Sequence, residues 1–176
     1  MIEVLSRRDI LTGRAAHHAS RTSVDASDWN TYTRPDPPKV SVSFPPSYTL
    51  FPRFVTDLTY PYECFSLCNE ALTPLPSDDQ DGMPNLRDLG AGDAFVTVFA
   101  DTLTSENANL GAPVPTPLSM SDLAAIPDSG ASASGFDRYG AWFHSATWVY
   151  TMLIWIGRSS PEGPTISSVV ATVNLV

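Results

Sequence analysis

Between Ser145 and Arg158 the sequence reads SATWVYTMLIWIGR, and this stretch limits the folds open to the chain more than any other. Read as a strand, it places Trp148, Tyr150, Met152, Ile154 and Ile156 on one face and Val149, Leu153 and Trp155 on the other. Apolar groups on both faces require cover on both sides, so this strand is expected in the middle of a layered structure. We read it over residues 142–156. The apolar run from Trp148 to Ile156 is far shorter than the roughly 20 residues that cross a bilayer, so no membrane-spanning helix and no membrane partner are expected. With 43% apolar residues, 176 residues can fill one core; 16 prolines and 10 glycines interrupt the chain too often for long helices.

Other segments carry the alternation of strands. Val40, Val42 and Phe44 alternate with Ser41 and Ser43; YPYECFSLC at 60–68 is aromatic; DAFVTVFAD at 93–101 is β-branched and follows Gly92. At the end, Val169, Ala171, Val173 and Leu175 alternate with Ser168, Val170, Thr172 and Asn174, predicting a terminal strand over 166–175. The pattern predicts an all-β antiparallel sandwich, a jelly roll in its finer form, with little helix and long loops at 70–92 and 102–139. In the second loop, Ser119 or Ser121 with Asp122, Leu123 and Ile126 predicts a helical turn closed by Pro127. The stretch TRPDPPKVSVSFPP enforces extended backbone through Pro35, Pro37 and Pro38. This divides the chain into an N-terminal arm with a proline-rich spacer, residues 1–38, and a sandwich domain, residues 39–176.

Charge is distributed unevenly. Residues 1–53 hold Arg7, Arg8, Arg14, Arg21, Arg34, Lys39 and Arg53 against five acids, a net of +2, so that of the total of −9 the rest of the chain carries −11. An acidic body repels phosphate backbones, which leaves only the front segment for a weak contact with nucleic acid or with an acidic neighbour. Residues 6–21 of that segment read SRRDILTGRAAHHASR. Its paired arginines resemble an export signal, but only Ile10 and Leu11 are strongly apolar behind them, so the segment is expected to remain in the mature chain.

No catalytic, cofactor-binding or metal site is expected. His144 lies near Asp137 and Ser145, yet no strained nucleophile turn surrounds any serine, and a packed or surface histidine is the reading adopted. His17 and His18 are adjacent, so their side chains diverge, and no third ligand is suitably spaced. Asp78, Asp79 and Asp81 lack the frame and closing glutamate of a calcium loop and read as a solvated turn. The glycines of DLGAGDAF precede a strand and imply no phosphate site. Cys64 and Cys68, on one face of a regular strand, would have α-carbons roughly 13 Å apart, too far for a disulfide; free thiols are expected. No N-x-[ST] sequon occurs.

A β-rich, lysine-poor chain with long loops and a front arm resembles the jelly-roll coat subunits of small icosahedral viruses. A local segment resembles S-x-R-x-L-L-x-R of picorna-like capsid proteins: Ser6, Arg8, Ile10 and Leu11 match, Gly13 replaces a basic residue, and Arg14 follows one place late, about nine residues in all. The resemblance implies a non-enzymatic structural subunit of the virion, assembling with copies of itself or sister coat proteins. Arg7, Arg8, Arg14 and Arg21 would then form an assembly arm that meets the acidic body of a neighbour. The alternative is a non-catalytic β-sandwich module for carbohydrate or protein, using Trp142, Phe143, Trp148 and Tyr150, although their concentration in one apolar run points to core. An enzyme on such a sandwich would need clustered histidines, and three histidines in two places argue against it.

Overall fold

A computed structural model of the chain describes residues 25–51, 62–70, 72, 89–126 and 135–176. The elements are β1 (Asn30–Thr33), β2 (Val40–Phe44), β3 (Thr49–Phe51), β4 (Tyr62–Cys68), β5 (Ala94–Thr102), β6 (Ala112–Pro113), a 3-10 turn (Met120–Asp122), β7 (Ala124–Ala125), β8 (Phe136–His144), β9 (Trp148–Gly157), α1 (Gly163–Thr172) and β10 (Asn174–Leu175). Two sheets result. The smaller has the order β1-β2-β10; the larger runs β3-β4-β5-β9-β8-β6, with β7 also paired to β8. Among the described residues only β6 and β8 pair in parallel. The fold is thus an all-β sandwich with one α-helix among the described residues. The described strands divide three and seven between the two sheets.

The central pair is β5 with β9, in register from Ala94↔Ile156 to Thr102↔Trp148. On one face Val96, Val98, Tyr150, Met152 and Ile154 pack against Val40 and Val42 of the smaller sheet and Ile166, Val169 and Val170 of α1. On the other, Phe95 and Trp155 meet edge to face with centroids 5.7 Å apart, alongside Cys68, Leu89 and Phe136. The two faces of β9 divide as the alternation predicts.

The single strand expected over 142–156 is instead a hairpin. Trp142 and Phe143 belong to β8, and the chain turns at Ser145, whose hydroxyl accepts the N–H groups of Thr147 and Trp148 at 3.4 and 3.2 Å. Neither glycine nor proline marks this turn; the serine side chain replaces their turn chemistry.

The expected terminal strand over 166–175 is a second correction. It is mostly α1, with only Asn174 and Leu175 extended. The segment carries both periods. A strand would bury Val169, Ala171, Val173 and Leu175 and expose Ile166 and Val170; the helix buries Ile166, Val169, Val170 and Val173 at helical spacing, a larger apolar set. Pro164 in the first turn costs a helix nothing, because that N–H has no intrahelical acceptor, whereas a strand would lose a ladder donor.

The C-terminal turn of α1 completes a sheet. β10 pairs with β2 through Asn174↔Ser41 and Leu175↔Val40, and Val176 N–H donates to Lys39 O at 3.1 Å. At the next ladder position no strand remains. There the Thr172 hydroxyl accepts Ser43 N–H at 2.8 Å and lies 3.0 Å from Ser43 O, replacing both backbone partners. Residues 30–33, within the expected proline-rich spacer, form β1 on the other side of β2. In the turn between them three prolines supply no N–H. The Arg34 guanidinium donates to the carbonyls of Asp36, Pro37 and Pro38, and Lys39 Nζ to that of Pro35.

Thr172→Val keeps the shape but leaves Ser43 N–H and C=O without their partner. Urea unfolding should show a loss of about 1–3 kcal/mol with helical circular dichroism retained; an unchanged midpoint would show that the hydroxyl carries no part of the sheet.

Candidate functional site

Arg7, Arg8, Arg14, Arg21, His17, His18, Asp78, Asp79 and Asp81 all lie outside the described residues. The remaining candidate constellation is His144, Ser145 and Asp137. β8 holds Asp137 opposite Ile156 and His144 opposite Val149, at its two ends, roughly 24 Å apart at about 3.4 Å per residue. Asp137 is instead paired with Arg158 at 3.2 Å, both more than half exposed, and Ser145 serves its turn. The three are not brought together.

The cysteines sit differently from the regular-strand reading. The register of β4 shifts between Glu63 and Phe65, a bulge at Cys64. Unbulged alternation would place Glu63 with Phe65 and Leu67 against the main core. The shift moves it to the opposite face, where Ser66 Oγ lies 2.6 Å from Glu63 Oε1 and 2.8 Å from Thr97 Oγ1. Cys64 consequently packs with Phe65 in the main core and Cys68 in the second cluster, on opposite faces. Both are free and buried. The sequence signal for this was the glutamate itself, out of phase in an apolar strand.

Three of the four aromatics of 142–150 are structural. Phe143 and Tyr150 are buried, and Trp148 packs on the core and meets Tyr62 edge to face at 5.9 Å. Trp142 alone is open, 54% exposed, on the opposite face of β8. Beside it Gly111, at φ +79°, passes so close that an added Cβ would lie 2.0 Å from Trp142 O; only glycine permits this approach, and β6 can then pair with β8.

A cleft of about 350 Å³ lies at the other end of β8, between residues 136–139, Ala125, Ile126 and Arg158. It holds two of the three basic residues beyond position 54, Arg138 and Arg158, with Asp137 between them, and its lining contains neither histidine nor cysteine. Among the described residues no three His, Cys, Asp or Glu side chains gather to hold a metal ion. The arrangement offers an ion pair on an open rim and no assembled nucleophile and base. No family model, curated protein or solved structure matches the chain.

Burial controls the titration of this interior. It pushes the Cys64 thiol up to about 12 and the Cys68 thiol to about 11, from an ordinary value near 9, and the Tyr150 phenol, which donates to Val176 O at 2.7 Å, to about 12. Tyr48 is raised too, by burial and then by its 2.8 Å bond to Glu162. Below pH 9 folded and unfolded thiols are both protonated. Above it the unfolded chain releases protons that the folded chain retains, so stability should fall as pH rises from about 9 towards 11 to 12. Urea midpoints measured across that range should decline, and a disulfide reagent at pH 8 should leave both thiols unmodified until denaturant is added; rapid labelling of the native protein would contradict the burial of both.

Proposed function

We propose that the chain is a structural subunit of a viral coat, assembling with copies of itself or with sister subunits into a shell in the virion. One observation supports this reading: in the chain, the segment bearing Arg7, Arg8, Arg14 and Arg21 precedes β1, the outer strand of the smaller sheet. A basic stretch of sequence is thereby linked to an edge strand of a domain whose chain from residue 54 onward carries −11, a charge distribution suited to bridging from one acidic body to the next, with nucleic acid a weaker partner for the same arginines.

Native mass measurement should find particles in the megadalton range. Removing residues 1–22 should leave the β spectrum intact while weakening assembly, and raised salt should weaken the intact assembly in the same direction. Equal assembly of truncated and whole protein at every salt concentration would remove the arm from the mechanism.

The exposure of Trp142 favours a second reading, a binding module in which a sugar ring or partner side chain stacks on that indole. On this reading, glycan titration should change tryptophan fluorescence, and Trp142→Phe should abolish the response. A response that persists in the variant would exclude this surface.

A further inference from the structure

We propose that β1 is a self-association edge, pairing antiparallel with β1 of a second copy so that the two smaller sheets become one. The inference rests on the coat reading to the extent that it supplies one of the contacts such a shell requires.

The hydrogen bonds of β1 show which groups are available. Arg34 N–H donates to Val40 O at 2.9 Å, and in the register Tyr32↔Val42 and Asn30↔Phe44 the inward groups alternate from there. The N–H and C=O of Thr31 and Thr33 therefore point away from β2, and β1 has no other strand partner among the described residues. Asn30, Thr31 and Thr33 are exposed, while Tyr32 turns inward onto the core.

Among the described residues two other edges are stopped, and β3, which ends the larger sheet, is only three residues long. β2 is closed beyond β10 by Thr172, and β8 is held at Tyr139 and Gly140 by β7 and at Phe143 and His144 by β6. Within Asn30–Thr33 there is no proline, charge or bulge, the devices that ordinarily keep an edge from pairing.

Charge selects both partner and direction. Asp25 and Asp28 precede the strand; Arg34 and Lys39 follow it, with Asp36 between them, and the partners of both cations among the described residues are neutral carbonyls. An antiparallel copy sets the acidic end of one β1 against the basic end of the other, whereas a parallel one sets like against like. The same strand on both sides of a twofold axis is therefore complementary to itself.

Sedimentation velocity of the whole chain over a dilution series tests this. Thr31→Pro removes an outward N–H and leaves the inward ladder intact; it should weaken pairing tenfold or more, by about one to two lost hydrogen bonds, with the melting temperature retained. Thr31→Ala should associate as the native chain does. If the proline variant unfolds, Asp28→Lys decides: it sets a cation against the basic end of the partner strand, so association should be weak at low salt and recover as salt screens the like charges. Unchanged association in Thr31→Pro or in Asp28→Lys overturns the edge. Particles that persist in Thr31→Pro overturn the edge and leave the coat reading standing; a dimer lost in Thr31→Pro, with no larger species in the native chain, supports the edge and removes the coat reading.

Discussion

The pairing of β5 with β9 sets the terms for the rest of the molecule. Both strands are buried on both faces, with Val96, Thr97 and Val98 of one and Met152, Ile154 and Trp155 of the other all closed to solvent. A sheet with one wet face could have stopped at this pair and its neighbours. This one needs a second layer, and that layer comes from distant parts of the chain: β1 and β2 from before the larger sheet, α1 and β10 from after it. The bond from Tyr150 in β9 to Val176 O ties the last of these covering elements directly to the central strand. Such non-local closure means that neither the early strands nor the late helix has a core of its own.

Once the layers are placed, each irregularity reconciles side-chain period with backbone hydrogen bonding. In β4 a regular ladder would carry Glu63 into the main core, and the bulge at Cys64 gives up ladder regularity to place that carboxylate with Ser66 and Thr97. At the end of α1 the helix gives up strand pairing with Ser43 to bury Ile166 and Val170, and the Thr172 side chain restores what was lost. In the turn between β1 and β2 the prolines give up donors, and Arg34 and Lys39 provide them. In the last two a polar side chain does the work of a backbone group.

This explains what could be read from the sequence. The strand at 40–44, the strand from Ala94 and the two faces of β9 were legible because one period fitted each, and tertiary structure had nothing to override. The helix α1 was not, because Ile166, Val169, Val170 and Val173 satisfy the helical period while Val169, Ala171, Val173 and Leu175 satisfy the strand period; burial of the bulkier set decided the outcome. The β8–β9 turn was hidden because Ser145, not glycine, closes it. The bulge could have been suspected from Glu63 alone, but its consequence, cysteines on opposite faces, follows only from the register. Of the candidate site, the dispersal of Phe143, Trp148 and Tyr150 into the core agreed with their apolar run, and the exposure of Trp142 could not be read without knowing that it lies on the far face of a separate strand.

The charge distribution narrows how copies of such a domain can meet. Each carries a formal −9, so bodies approaching at random repel, and salt relieves that repulsion. Contacts between oppositely charged regions behave in the reverse way. Within the domain, Arg34 and Lys39 sit together at the β1–β2 turn, bonded to neutral carbonyls that leave their charge in place, while Arg158 is paired with Asp137, so positive charge is concentrated at the end of β1 and not spread over a broad surface. Attraction must therefore be local: at the basic end of an edge strand, or through arginines that precede it. An edge contact also contributes backbone hydrogen bonds, which salt hardly affects, while an arm contact is mostly charge. The sign of the overall salt dependence is then a balance between relieved repulsion and screened attraction, and it turns towards weakening only where the attractive contacts are close and numerous enough to outweigh the like charge of the bodies that carry them.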